Sequence, residues 1–73
     1  MTAAQYREAI AALGLTQVGA AELLGVGARA SRHWALGARA VPPPAERFLR
    51  FLIGKRIKPE TVLKVLGTEE TKP

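Results

Sequence analysis

The sequence is poor in the residue types that bind metals and catalyse reactions. Among its 73 residues it has no cysteine and no aspartate, and only one histidine. Without cysteine the chain cannot form disulfides, iron–sulfur clusters or thiolate zinc sites. It also offers no nucleophile paired with a base, and its one pair of adjacent carboxylates, Glu69 and Glu70, lies near the C-terminus. We therefore expect no metal ion, no cofactor and no enzymatic activity.

The sequence also lacks long apolar runs. None approaches the roughly 20 residues that a membrane-spanning helix needs, and the N-terminus lacks the basic and apolar segments of a signal peptide. We therefore expect a cytoplasmic protein without a membrane partner. With 48% hydrophobic residues, a chain of this length can form one small domain held by packing alone. We assign residues 1–67 to that domain and residues 68–73 to a disordered tail.

Acidic residues are few in the middle of the chain. The formal net charge is +5, which favours a polyanionic partner. Between residues 29 and 58 the only acid is Glu46, against eight basic residues: Arg29, Arg32, Arg39, Arg47, Arg50, Lys55, Arg56 and Lys58. The positive charge is therefore concentrated in the central part of the chain.

Capping residues and hydrophobic periodicity predict an all-α fold of five helices. Thr2 and Gln5 have the spacing of a capping box, Thr16 is a good N-cap, and Gly25 and Gly37 are typical residues after a helix end. No strand pair with a hairpin turn is evident. The predicted helices cover residues 3–13, 17–24, 28–36, 44–53 and 59–66.

The fourth helix follows a proline-rich segment. We expect residues 41–44 to form an extended connector, Pro44 to open the helix and Gly54 to end it. Its apolar residues exceed what one inward stripe needs, which predicts packing against two neighbours: Phe48, Leu49, Phe51, Leu52 and Ile53. We interpret the chain's four aromatic residues as core or helix-packing residues rather than stacking platforms for single strands: Tyr6, Trp34, Phe48 and Phe51.

The second and third predicted helices are joined by the short turn Gly25-Val26-Gly27. Two helices cross steeply in this way when the turn admits a left-handed residue and a small residue lies where the axes approach; Gly25 and Ala21 meet these needs. An apolar wedge of Leu24, Val26 and Trp34 would join the two helices. The outward face of the third helix then presents Ala28, Arg29, Arg32 and His33, a surface suited to a DNA groove.

The segment formed by these helices resembles the helix-turn-helix of the phage-repressor-like (XRE, Cro-type) transcriptional regulators of bacteria and phages, over roughly residues 3–54. The resemblance is carried by Leu15-Thr16-Gln17, Ala21, Leu24-Gly25-Val26, Trp34, Gly37 and Arg39-Ala40-Val41-Pro42. It implies a compact five-helix, lambda-repressor-like domain. The implied function is sequence-specific binding of double-stranded DNA, with the third helix in the major groove, and regulation of transcription, as in repressors.

The candidate DNA contacts fall into two groups. An arginine fork matches the two acceptors of guanine in the major groove, and a methyl group can touch the thymine methyl, so the candidates for base contact are Ala28, Arg29, Arg32 and His33. For each arginine the alternative is a solvated surface charge, and for His33 an exposed bystander. The candidates for backbone contact are Thr16, Gln17, Gly27, Arg39 and Lys55; in the resembled family the glutamine grips the DNA backbone.

The basic cluster around Lys55 leaves several roles open. With Arg56 and Lys58 it could reach a flanking phosphate, anchor an acidic partner or increase solubility. Two positions also depart from the resembled family: Gly27 stands where a Ser or Asp cap is usual, and Ser31 where a β-branched apolar residue is usual. We expect Ser31 to be semi-buried and to bond back to a carbonyl one turn earlier.

A single module of this size buries little surface on DNA. We therefore expect a homodimer on two half-sites, with the fifth helix or the excess apolar surface of the fourth as the dimer contact. The alternative function is an antitoxin-like or other interaction module that presents helices four and five to a protein partner.

Overall fold

A computed structural model describes residues 1–67, which form five α-helices and no strand. The helices are α1 (Ala3–Ala12), α2 (Gln17–Leu24), α3 (Ala28–Leu36), α4 (Pro43–Lys55) and α5 (Pro59–Leu66). The predicted all-α class and the number of helices are confirmed, and the bounds of α2, α3 and α5 match the prediction. The tail predicted for residues 68–73 lies outside the described residues. No helix within residues 1–67 has the length and apolar character to cross a membrane.

Local capping explains where α1 and α2 begin and where α2 ends. Thr2 and Gln5 form the predicted capping box at α1, in which each side chain accepts from the other residue's backbone N–H. The Thr16 hydroxyl accepts from the Gly19 N–H at the start of α2. Gly25, at φ 72°, ends α2 in the left-handed conformation, which a residue without a Cβ adopts without steric cost.

The core lies between α1, α2, α3 and α4. Tyr6 and Trp34 meet edge to face with ring centroids 5.7 Å apart, and Leu23, Leu49 and Leu52 complete the centre of the buried cluster. Trp34 is therefore a core residue, as predicted. The remaining buried apolar residues are Ala9, Ile10, Ala20, Ala21, Ala35 and Val41.

Ser31 departs from the expectation for its side chain. It is fully buried rather than semi-buried, and its hydroxyl lies 2.6 Å from the hydroxyl of Tyr6, with which it forms a hydrogen bond. The predicted hydrogen bond to a carbonyl one turn earlier is not formed within residues 1–67. A buried hydroxyl needs a partner, and α1 supplies one from a residue far away in the sequence.

The end of α4 also differs from the prediction. Gly54 lies inside the helix, which continues to Lys55 and ends at Arg56 in the left-handed conformation (φ 56°). The next residue, Ile57, donates its backbone N–H to Leu52 (2.9 Å) and packs its side chain against the core. Burial of an apolar residue just after the helix end is typical of this reversal. The chain therefore turns where Ile57 reaches the core and not at the glycine.

The start and packing of α4 correct two further expectations. Pro42 is the N-cap, and Pro43 and Pro44 lie within the first turn rather than in an extended connector. Proline is tolerated there because the backbone N–H that it lacks would have no hydrogen-bond acceptor within the helix. Phe51 is 54% exposed and Ile53 is 38% exposed. The prediction that Phe51 is a core or helix-packing residue is wrong, since α4 buries only the stripe that contains Leu49 and Leu52.

Candidate nucleic-acid interface

A groove on the surface of α2 and α3 brings most of the predicted contact residues together. It is lined by Gln17, Val18, Ala28, Arg29, Arg32 and His33. None of these lining residues is acidic, so the groove offers positive charge and polar groups on a surface that is open to solvent. The groove thus joins the four candidate base contacts to Gln17, a candidate backbone contact from another helix.

The two arginines of this groove are free to bind a ligand. Arg29 and Arg32 are exposed, and neither forms a hydrogen bond or ion pair with any residue from 1 to 67. They are three positions apart, which places them on one face of α3. Because their guanidinium groups are not committed to protein carboxylates, both can reach an anionic or hydrogen-bond-accepting partner.

The N-terminus of α3 strengthens the positive character of the groove. Its N-cap, Gly27, has no side chain with which to accept from the first N–H groups of the helix. These groups and the helix dipole favour an anion at this end. Gly27 has ordinary extended torsions, φ −73° and ψ 155°, and a Cβ at this position would meet no atom within 4 Å. The glycine therefore leaves open space beside Ala28 and Arg29.

The N-terminus of α2 adjoins the same surface. The Thr16 hydroxyl satisfies the Gly19 N–H at 2.9 Å, one of the four amides that a helix start leaves without an intrahelical partner. Gln17, the first residue of α2, is half-buried and lines the groove. Thr16 itself does not line the groove. It acts there only as the N-cap of α2.

The loop after α3 folds back against the last turn of that helix. The His33 carbonyl accepts from the backbone N–H groups of Ala38 (2.9 Å) and Arg39 (3.3 Å). The Arg39 side chain is exposed and makes no hydrogen bond or ion pair within the described part of the chain. Lys55, by contrast, lies at the far end of α4 and does not line the groove.

Two residues of this region were not among the sequence-based candidates. Val18 is 58% exposed and lines the groove; a helical wheel of α2 would have placed it opposite the buried Ala20 and Leu23. Arg7 of α1 donates from Nη1 to the Ala35 carbonyl at 2.6 Å. This hydrogen bond connects the last turn of α3 to α1. The sequence carries no signal for this second contact, because it depends on how α1 packs.

Side chains that bind metal ions are scarce in the described part of the chain. Among residues 1–67 no three His, Cys, Asp or Glu side chains are grouped so that they could hold a metal ion. Comparison with models of protein families, with curated proteins and with solved structures finds nothing that matches this chain.

Proposed function

We propose that the protein binds double-stranded DNA in a sequence-specific manner and acts as a repressor-like regulator of transcription. The observation that carries this proposal is the groove of α2 and α3, with two unpaired arginines and no acidic lining residue. In this proposal α2, the turn at residues 25–27 and α3 form a helix-turn-helix, and the fold is of the lambda-repressor-like type. Helix α3 enters the major groove.

Each groove residue has a distinct role in the proposal. Arg29 and Arg32 read base edges, and one bidentate arginine–guanine contact contributes about 1–3 kcal/mol of discrimination. His33 donates to a base acceptor or a phosphate, and Ala28 touches a thymine methyl. Phosphates are held by the exposed Arg39, by Gln17, and by the N-terminal amides of the helices that Thr16 and Gly27 cap. Affinity then falls steeply with salt concentration, because phosphate contacts release counterions.

A homodimer on DNA is part of this proposal. One module of this kind buries about 600–1,000 Å² of protein surface on DNA, and two half-sites about 34 Å apart provide the remaining affinity. No residue of helix α5 is fully buried. Val65 and Leu66 are 79% and 61% exposed. We assign the dimer contact to this apolar side of α5.

The proposal is tested by selecting bound sequences from a pool of random duplexes. The wild type is compared with an Arg29→Ala, Arg32→Ala variant and with an Arg47→Ala, Lys55→Ala variant. Both variants lose two positive charges, but only the first pair lies in the groove. We expect an enriched motif with G·C pairs and dyad symmetry for the wild type and the control variant, and a degraded motif for the groove variant.

The outcomes separate sequence reading from general charge. Equal loss of the motif in both variants would mean that charge alone drives binding. No enrichment by any of the three proteins would overturn the proposed function.

A second candidate function is an antitoxin-like or other protein-interaction module. The exposure of Phe51 on α4 and of Val65 and Leu66 on α5 favours it, because large apolar side chains on a surface are typical of interaction sites. Absence of an enriched duplex motif, together with a stable complex made through α4 or α5, would favour this function.

A further inference from the structure

The outward face of α4 carries a row of three side chains that the groove does not use. Arg47, Phe51 and Lys55 follow one another at intervals of four residues, and such residues are neighbours along one side of a helix. At a rise of 1.5 Å per residue the row is about 12 Å long. An aromatic ring therefore lies between two cationic groups.

All three members of the row are open to solvent. Phe51 is 54% exposed, and Arg47 and Lys55 are also exposed. Neither cation forms a hydrogen bond or an ion pair with another residue in the range 1–67. Beside the row, a Cβ placed on Gly54 would meet no atom within 4 Å, so the helix surface is also open at that position.

The acid closest to the row in the sequence is already committed. Glu46 accepts from the N-terminal ammonium at 3.0 Å through Oε1 and from Arg50 Nε at 2.8 Å through Oε2. Both carboxylate oxygens are therefore engaged, and Arg50 is neutralised by the same contact. The charges of Arg47 and Lys55 remain without a counter-charge on their own helix.

The positive charges of Arg47 and Lys55 indicate which kind of partner fits the row. A second copy of this chain would bring the same cations against each other if the two rows met, and like charges in an interface are strongly unfavourable. A lipid surface would need a wide apolar face on the helix, but the apolar side chains Leu49 and Leu52 of α4 are buried in the core. An apolar anchor flanked by carboxylates satisfies the ring and both cations together.

We propose that the row Arg47–Phe51–Lys55 is a docking surface for an acidic segment of a partner protein that carries an apolar anchor residue between two carboxylates. The anchor packs on Phe51, while the carboxylates pair with the two cations. This inference is independent of DNA binding by α2 and α3, and it gives Lys55 a role other than a phosphate contact.

A synthetic peptide tests the proposal with the full chain. The probe is an amphipathic helical peptide with Glu, Leu and Glu at positions i, i+4 and i+8, titrated into ¹⁵N-labelled protein and followed by NMR shifts and calorimetry. We expect shifts concentrated in residues 47–55. Phe51→Ala should weaken binding about tenfold or more, as truncation of an aromatic anchor does. Arg47→Ala and Lys55→Ala should each weaken it severalfold.

Matched controls separate this surface from the other possibilities. Val65→Ala removes an apolar side chain on α5 that is even more exposed than Phe51 and should leave peptide affinity unchanged, as should Arg29→Ala. A peptide with Ala in place of Leu should bind about tenfold more weakly. A melting curve for each variant shows that it is folded, and duplex affinity should change less than twofold in Phe51→Ala.

Several results would overturn the proposal. They are absence of peptide binding at millimolar concentration, binding that survives Phe51→Ala, and shifts that map outside α4. Binding of a short duplex or of anionic phosphatidylserine vesicles that is lost in Phe51→Ala would assign the row to nucleic acid or to lipid instead.

Discussion

The hydroxyl of Tyr6 in α1 and the hydroxyl of Ser31 in α3 lie 2.6 Å apart, and both residues are fully buried. This hydrogen bond joins the first helix to the helix that carries the arginines of the groove. Burial raises the pKa of Tyr6, and the hydrogen bond with Ser31 opposes that rise without cancelling it. The phenol is therefore neutral at physiological pH, and the pair is a neutral polar contact inside an apolar core.

A double-mutant cycle measures the strength of this contact. Tyr6→Phe and Ser31→Ala should each lower the free energy of unfolding by about 1–3 kcal/mol, because each leaves one buried hydroxyl without a partner. The double variant should lose less than the sum of the two, with a coupling of about 0.5 kcal/mol or more. Urea unfolding monitored by circular dichroism gives all four values. Strict additivity would show that the two hydroxyls do not act as a pair.

The raised pKa of Tyr6 predicts a loss of stability in alkaline solution. The unfolded state ionises near the ordinary tyrosine pKa of about 10, whereas the folded state keeps the proton to higher pH. The contribution is therefore complete below about pH 10 and is lost as the pH rises through the folded pKa. Unfolding midpoints from pH 8 to 11 should fall more steeply for the wild type than for Tyr6→Phe. Parallel curves would contradict the prediction.

The contacts of Glu46 predict that the stability of the protein falls at acidic pH. A hydrogen bond from the N-terminal ammonium is the main cause that lowers the pKa of its carboxyl, and a hydrogen bond from Arg50 is the second cause. Its contribution is present above the unfolded pKa of about 4.3 and is lost as the pH falls through the lower folded pKa. The melting temperature of the wild type should approach that of Glu46→Gln between pH 5 and 2. A constant difference between the two proteins over this range would be inconsistent with the contact.

Two glycines should respond to alanine in opposite directions. Gly54 lies within α4 at a position where a Cβ meets open space, so Gly54→Ala should stabilise the protein by about 0.5–1 kcal/mol. Gly25 has φ 72°, so Gly25→Ala should destabilise it by about 1–2 kcal/mol. Thermal unfolding of the two variants provides the comparison. Destabilisation by Gly54→Ala would contradict the placement of Gly54 within α4, where alanine is the better helix former.

Gly27 should separate stability from DNA binding. Its extended torsions and open surroundings accept a side chain, so Gly27→Asp should cap α3 and stabilise it by about 0.3–1 kcal/mol. The same carboxylate would repel a phosphate at the groove and weaken duplex binding by about tenfold or more.

Gly27→Ser is the matched control for this change. It supplies a neutral cap worth a few tenths of a kcal/mol and should leave duplex affinity nearly unchanged. Melting temperatures and fluorescence anisotropy with a selected duplex measure both effects. Unchanged duplex affinity in Gly27→Asp would remove the N-terminus of α3 from the proposed interface.

The starts and ends of most helices could be predicted from the sequence because their causes are local. Thr2 and Thr16 cap amides within three residues, and Gly25 occupies a left-handed position immediately after α2. A helical period also placed Trp34 inside and Arg32 outside. In each case the residues that interact are separated by only a few positions, so the pattern of residue types is enough.

The partner of Ser31, the end of α4 and the composition of the groove depended on packing. Tyr6 reaches Ser31 from 25 residues away, and Ile57 decides the end of α4 by reaching the core. Gln17 and Val18 join the arginines of α3 only because α2 packs against that helix.

The sequence by itself therefore determined the class of fold, the number of helices and the outward position of the basic residues on α3. Only the tertiary structure decided which hydroxyls pair, which apolar residues stay at the surface and which side chains from different helices share a groove. The physical reason is that caps and helical faces act within a few residues, whereas burial is shared by helices far apart along the chain.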